Sequence, residues 1–435
     1  MTPPTVLVLI STLAAALLVH AGGALAADPD PPPPLDLEEL VLEALEAHPA
    51  VQAAASRAGA AAEVPSRVAS PPDPWLSFMA SNVRVDAPGL DTSPMTGLVL
   101  GVNQGLPFPG LLLRRKELAG AVEQLAMARV ASTETMVALR VRDRYWALHF
   151  AERALAITEE SGAVLDSLAD VVTARFSVGQ GAQQDALQVQ VAEGRLRSML
   201  EARREGLRTA RRDLAAAVGR APSAPLGVTD APPAPPTRDP DGTLQAFGTA
   251  NPELGVARQE VARTDAAIRE ARSALAPTLG AGFQWRFRGV VPGDASNGAD
   301  MVSAGLQISL PVWAATKQTA AVRERRAQNA AATAAEEDLR LALETELQSL
   351  LDARVRLDQE LAIHRDQLVP QADQALDASI EDYAVGRVGF VSILQNWRTA
   401  LDVQLSTEHL LATRARVEAR IDALIGATTS TKETR

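Results

Sequence analysis

Phe176 to Gln190 reads FSVGQGAQQDALQVQ, and Tyr383 to Trp397 reads YAVGRVGFVSILQNW. In each, an aromatic residue and a Val-Gly pair close one helical pattern and a short bridge opens another. Gly179 and Gly386 suit the left-handed conformation that ends a helix, and Asp185 and Ser392 fall early in the helix that follows. Either stretch alone is a plain helix-hairpin turn. Together they are one landmark of a duplication, because the surrounding signals recur in order at an offset of about 203 to 207 residues. His48-Pro49 answers to Asn251-Pro252; Gly101, Leu106 and Pro107 answer to Gly305, Leu310 and Pro311; and both copies end at a glycine, Gly219 and Gly426. The unit is helix, strand, strand, very long helix, turn, helix, written once over 37–220 and again over 243–426.

The strands are clearest in the second copy. Leu279, Ala281, Phe283, Trp285 and Phe287 alternate with Thr278, Gly280, Gly282, Gln284 and Arg286, and Val302, Ala304, Leu306, Ile308 and Leu310 alternate with Ser303, Gly305, Gln307 and Ser309. Period two over about ten residues, apolar on one face and small or polar on the other, fits a transmembrane β-strand and equally a half-buried soluble hairpin. The spacing predicts strands over about 278–288 and 301–311, and fainter partners over about 75–85 and 96–106. Four strands cannot close a barrel, since the smallest need about eight, so a membrane-entering chain must share its barrel with copies of itself.

Beyond each second strand the period becomes helical. Val130, Val137, Val141, Tyr145, Leu148 and Leu155, and in the second copy Leu343, Leu347, Leu350, Leu357, Leu361 and Leu368, step by three, four and seven. Long helices are predicted over about 113–175 and 314–382, the first reaching roughly 90 Å at 1.5 Å per residue. Proline-rich segments at 27–36 and 221–242 read as linkers, and 427–435 as a flexible tail. Residues 5 to 26 are apolar and end Ala24-Leu25-Ala26, which fits a secretory signal peptide over 1–26; a single membrane anchor is the alternative reading, and no Lys or Arg precedes the run.

Composition excludes several functions. A net charge of -11, with no basic block, argues against nucleic acid as a partner. The chain has no cysteine, hence no disulfide and no lipidated amino-terminal Cys. His48, His149, His364 and His409 are scattered among helices without metal-ligand spacing, and no HExxH, Walker A or GxSxG element occurs. No catalytic, cofactor or metal site is expected.

The duplicated layout, the G-x-x-x-x-L-P-[FV] breaks at Gly101 to Phe108 and Gly305 to Val312, and the [FY]-x-V-G turns together resemble the TolC-like outer-membrane efflux factors over essentially the whole mature chain. His48-Pro49, Pro72-Asp73-Pro74 and the run from Gln104 to Gly110 with Arg114-Arg115 look most like the CzcC and CusC metal-efflux branch. The resemblance implies a mainly α protein with a small β part. In it a homotrimer shares one twelve-stranded outer-membrane barrel, in contact with outer-membrane lipid, and continues as a periplasmic α-helical tunnel. It implies a passive exit duct, for metal ions or other solutes, fed by an inner-membrane pump through a periplasmic adaptor. Adaptor contact would fall on Val178, Gly179 and Asp185 and on Val385, Gly386 and Leu394, although Ser392 stands where an acidic residue is common. Asp170 and Asp377 match the positions of acidic rings near a closed tip; the plain alternative is a solvated helix surface. A periplasmic coiled-coil adaptor or scaffold without a pore is the rival reading.

Overall fold

The computed structural model describes residues 34–232, 238–295 and 297–427. The signal-peptide reading and nearly all of the tail fall outside them. The fold is two copies of one helical hairpin, each fed by a strand hairpin, and the chemistry of the helix ends shows why they match. In the first copy α1 (Leu37–Ala47) stops at His48, whose Nδ1 accepts the Ala50 amide at 3.1 Å and caps α2 (Pro49–Ala62). In the second, α6 (Pro240–Ala250) stops at Asn251, whose Oδ1 accepts the Leu254 amide at 2.8 Å and caps α7 (Pro252–Ser273). Each cap is followed by a proline whose missing N–H is no loss in a first turn. The single opening helix expected in each repeat is therefore broken here, and a short α3 (Val64–Ala69) completes the first copy.

Strands β1 (Trp75–Ser81), β2 (Gly97–Leu106), β3 (Thr278–Arg288) and β4 (Met301–Ser309) form one antiparallel sheet in the order β1-β2-β3-β4. The first strand is four residues shorter than expected. Asn82 turns the chain with a φ of 57°, its Nδ2 donates to the Met95 carbonyl at 3.1 Å, and Thr96 Oγ1 donates back to the Asn82 carbonyl at 2.8 Å. β4 ends two residues early, ahead of Pro311, which has no amide for a ladder.

After β2, α4 (Leu111–Ser177) runs unbroken for 67 residues, about 100 Å. α5 (Gln183–Val218) returns along its second half and ends at Gly219, where a Cβ would lie 3.3 Å from the His48 Cα. α5 and α2 thus meet end to end as one interrupted strut beside α4. The second copy repeats this, with Asn251 Nδ2 donating to the Leu424 carbonyl at 2.8 Å where α10 (Phe390–Leu424) meets α7.

The second long helix is not continuous as expected. It is α8 (Gln318–Ile363), a π-turn over His364–Leu368, and α9 (Val369–Ala384). Pro370 has no amide to donate back and its ring crowds the preceding turn, and a π-turn takes up such a defect with one extra residue. That residue rotates the stripe. Leu343, Leu347, Leu357 and Leu361 are buried as the spacing requires, whereas Leu368 is exposed. The linker also ends earlier than 242, because Asp239 caps α6 through the Gly242 amide. In the described part of the linker, Thr229 forms a parallel bridge with Leu35, held on α4 by the Tyr145 hydroxyl, which donates to Leu35 O and accepts from Asp230 N.

Among the described residues, buried apolar side chains gather chiefly in three zones. One joins α1, α5 and mid-α4 around Val141, Leu148 and Leu214; one fills the far end of both hairpins; one joins α6, α7, α8 and α10 around Leu254, Leu347 and Ile421. Each fully buried leucine contributes about 1.5–3 kcal/mol, so the rods are held laterally along their length.

Candidate functional site

Two surfaces stand out: the sheet, and the tip where both hairpins turn. In the sheet, the register gathers most of the long apolar side chains on one face. Leu76 and Phe78 of β1 share a row with Val102 and Leu100 of β2, which face Phe283 and Trp285 of β3, followed by Ala304 and Val302 of β4. The opposite face is mostly small or polar, with Ser77, Gly101, Asn103, Gly282, Gln284, Ser303, Gly305 and Gln307, and carries Trp75, Met79, Val99 and Met301 near its two ends. β1 and β4 are open edges, and Phe78, Phe283, Leu306 and Ile308 are exposed. A smooth apolar face with unpaired edges at both sides is one sector of a closed barrel or an aggregation hazard.

The two tips are built alike. Gly179 N donates to Phe176 O (3.0 Å) and Gln180 N to Arg175 O (2.9 Å); Gly386 N donates to Tyr383 O (2.9 Å) and Arg387 N to Asp382 O (2.8 Å). Both glycines are left-handed, at φ 75° and 79°, where a side chain would be strained. Val178 and Val385 consequently project into solvent, 68% and 67% exposed.

Behind the tips the hairpins are tied by Tyr383. Its hydroxyl donates to Asp185 Oδ2 at 3.4 Å, its carbonyl accepts from Arg175 Nη1, and the Arg175 guanidinium lies 4.6 Å from its ring centre. Burial, and next the charge of Asp185, push the phenol above its ordinary value, so it stays a donor. Asp185 is therefore half-buried and engaged rather than free. Leu394 is buried as well and forms part of the floor of a groove of about 740 Å³ between α5 and α10, with Leu187, Val191 and Val391 above it and Arg195 and Arg398 beside it. Asp170 and Asp377 are both exposed. They lie five and six residues before Arg175 and Tyr383, about 7.5 and 9 Å back along their helices, so they share a level without touching within one chain.

Residues 244–427 match the family model of the outer membrane efflux proteins. Among solved structures, the chain is similar to the outer membrane protein VceC of Vibrio cholerae at 17% identity and TM-score 0.74, covering 90% of this chain and 96% of that one. It is similar to the Campylobacter jejuni CmeC outer membrane channel at 13% identity and TM-score 0.74, covering 94% and 93%. CusC matches at 16% identity and the same TM-score of 0.74, covering 90% and 92%. The second repeat thus matches the outer membrane efflux proteins, and the whole chain shares the fold of these outer membrane channels. No curated protein sequence matches it significantly. The equal scores of VceC, CmeC and CusC do not single out a metal-efflux branch of these efflux proteins.

Within this fold, sequence reasoning missed Arg175, Tyr383 as a tie, and the groove formed by Leu187, Val191 and Val391. The only visible signal was the asymmetry of the turn motifs, Phe176 against Tyr383 at equivalent places: the phenylalanine is 47% exposed, the tyrosine 5%. Among the described residues, the four histidines take structural parts. His48 is a cap, His149 Nδ1 and His364 Nδ1 each lie 3.0 Å from a threonine hydroxyl (Thr229 and Thr407), and His409 packs edge-on to Phe150.

Proposed function

We propose that this protein is the passive, gated exit duct of a tripartite efflux system, located in the outer membrane with its helical tunnel in the periplasm. The observation that carries the reading is the four-stranded sheet, apolar on one face and unpaired at both edges, continuous with a helix of about 100 Å. Three chains joined β4 to β1 would close twelve strands, with the apolar face toward lipid and the glycine- and serine-rich face lining a wide lumen. A periplasmic adaptor without a pore has no use for that sheet.

The tip groove and the turns at Val178, Gly179, Val385 and Gly386 are the proposed adaptor contacts, with Leu394 as floor and Asp185 as part of the tie to Tyr383. In the trimer Asp170 and Asp377 would contribute up to six carboxylates at one level of the narrow end. An adaptor that binds the open tip better than the closed one shifts the equilibrium by that difference in affinity alone. The exported solutes, metal ions among them, are selected by the inner-membrane pump. Detergent extraction followed by native mass measurement tests the reading: a homotrimer that resists carbonate washing is expected, and a monomer or a protein released by carbonate overturns it.

A further inference from the structure

Of the 42 Lys and Arg residues only three are lysines, Lys116, Lys317 and Lys432, the last outside the described residues. The other two sit just past the strand-to-helix break of each repeat, Lys116 in the second turn of α4 and Lys317 immediately before α8. Both are exposed, and among the described residues neither makes an ion pair. Arginines at the same level are already engaged: Arg114 with Glu117 at 2.7 Å, Arg269 with Glu117 at 3.7 Å and Arg115 with Glu270 at 3.9 Å. Arg272, exposed in the last turn of α7, adds a further cation to the collar.

Each lysine lies one helical turn beyond an exposed apolar side chain. The Lys317 amide donates to the Trp313 carbonyl at 2.9 Å, so these two share one side of a single turn, and Leu113 and Lys116 are neighbours at i and i+3. Trp313 is 73% exposed and Leu113 56%; Phe108, Leu310 and Val312 continue the same apolar collar from the strand face.

We propose that this collar binds the phosphate headgroups of periplasmic-leaflet phospholipids, anionic phosphatidylglycerol in preference to zwitterionic lipid. The inference rests on the outer-membrane duct reading, which sets the strand face in hydrocarbon and its lower end at the headgroup level. Trp at that level sits with its ring among headgroups, and a lysine one turn further out can lay its stem along the apolar surface and hold its ammonium in the phosphate layer. Either cation can bind phosphate, and among the described residues these two lysines have no carboxylate partner, whereas Arg114, Arg115 and Arg269 are already engaged.

The test compares wild type, Lys116→Gln/Lys317→Gln and Lys116→Arg/Lys317→Arg as purified trimers in nanodiscs of mixed phosphatidylglycerol and phosphatidylcholine, counting lipids retained by native mass spectrometry. Wild type and the Arg pair should retain phosphatidylglycerol preferentially. The Gln pair should lose roughly fivefold in that preference per lysine, with trimer mass and single-channel conductance unchanged. Unchanged lipid preference in an intact trimer overturns this inference alone, as does a preference abolished by millimolar inorganic phosphate, which would mark a free-phosphate site. A protein that yields no membrane-integral trimer overturns the duct reading and this inference with it.

Discussion

Replacing Leu306 with arginine should block assembly, whereas the same change at the next residue should not. Leu306 is 82% exposed in the single chain, sits mid-way along β4 opposite Ala281, and shares its face with Ala304 and Ile308. Gln307 is opposite Gly280 on the other face. Arg at the bilayer midplane on a lipid-facing position costs about 2–4 kcal/mol, and on a lumen position little. Since one barrel would take three copies, the penalty is about 6–12 kcal/mol per trimer, comparable to the whole stability of an ordinary domain, about 5–15 kcal/mol. Length and charge are matched between Leu306→Arg and Gln307→Arg, so only the face differs. The assay is the amount of protein running as a trimer on semi-native gels of the outer-membrane fraction, with urea-dependent refolding into vesicles as the quantitative check. Equal loss in both variants, or trimer at wild-type level for Leu306→Arg, would refute the assignment of faces and the shared barrel with it.

Three further outcomes are expected. Tyr383→Phe removes the hydroxyl bond to Asp185; long at 3.4 Å, that bond contributes about 0.5 kcal/mol, so the closed tip should open roughly twofold more often in planar-bilayer recordings, with trimer mass unchanged. Asp170→Asn with Asp377→Asn should lower cation selectivity and raise resting conductance, since a ring of like charge in a narrow passage favours counter-ions; unchanged reversal potentials would return both residues to ordinary solvated surface. His149 is pushed below its ordinary 6.5 by burial, against the pull of Glu408 and Glu152. The unfolded chain then binds a proton that the native state resists, so stability is complete above pH 6.5 and falls as pH drops below it. His149→Gln, which keeps a partner for Thr229, should flatten the fall of the melting temperature as pH drops below 6.5.

The duplication was legible because it is written in residues whose conformational demands are local. Prolines after a cap, glycines at left-handed turns and alternation in strands act within a few positions, and the pairs His48 with Asn251 and Gly179 with Gly386 kept those demands as the copies diverged. The strand faces were legible for the same reason, since period two leaves no freedom once one face is apolar. What the sequence withheld depends on contact between residues far apart. Burial of Leu394 and engagement of Asp185 both follow from the first hairpin lying against the second, with Tyr383 and Arg175 brought together across 208 positions. A turn motif read alone exposes all its polar members; the fold decides which remain available to a partner.

The π-turn shows how one local residue can defeat a pattern that holds over a longer range. The leucine stripe of the second long helix keeps step through Leu361 and fails at Leu368, because Pro370 forces an extra residue into the turn before it. α4, without proline, keeps Leu165, Leu168 and Val172 in step to its tip. The two struts that reach the tip therefore differ in construction although they occupy equivalent places in the two repeats. α9 beyond the π-turn is held to the first repeat by the contacts of Tyr383 with Arg175 and Asp185. If the tip opens as proposed, the second hairpin is where that motion is expected to cost least, because a helix defect and a single aromatic tie lie within one helical segment there.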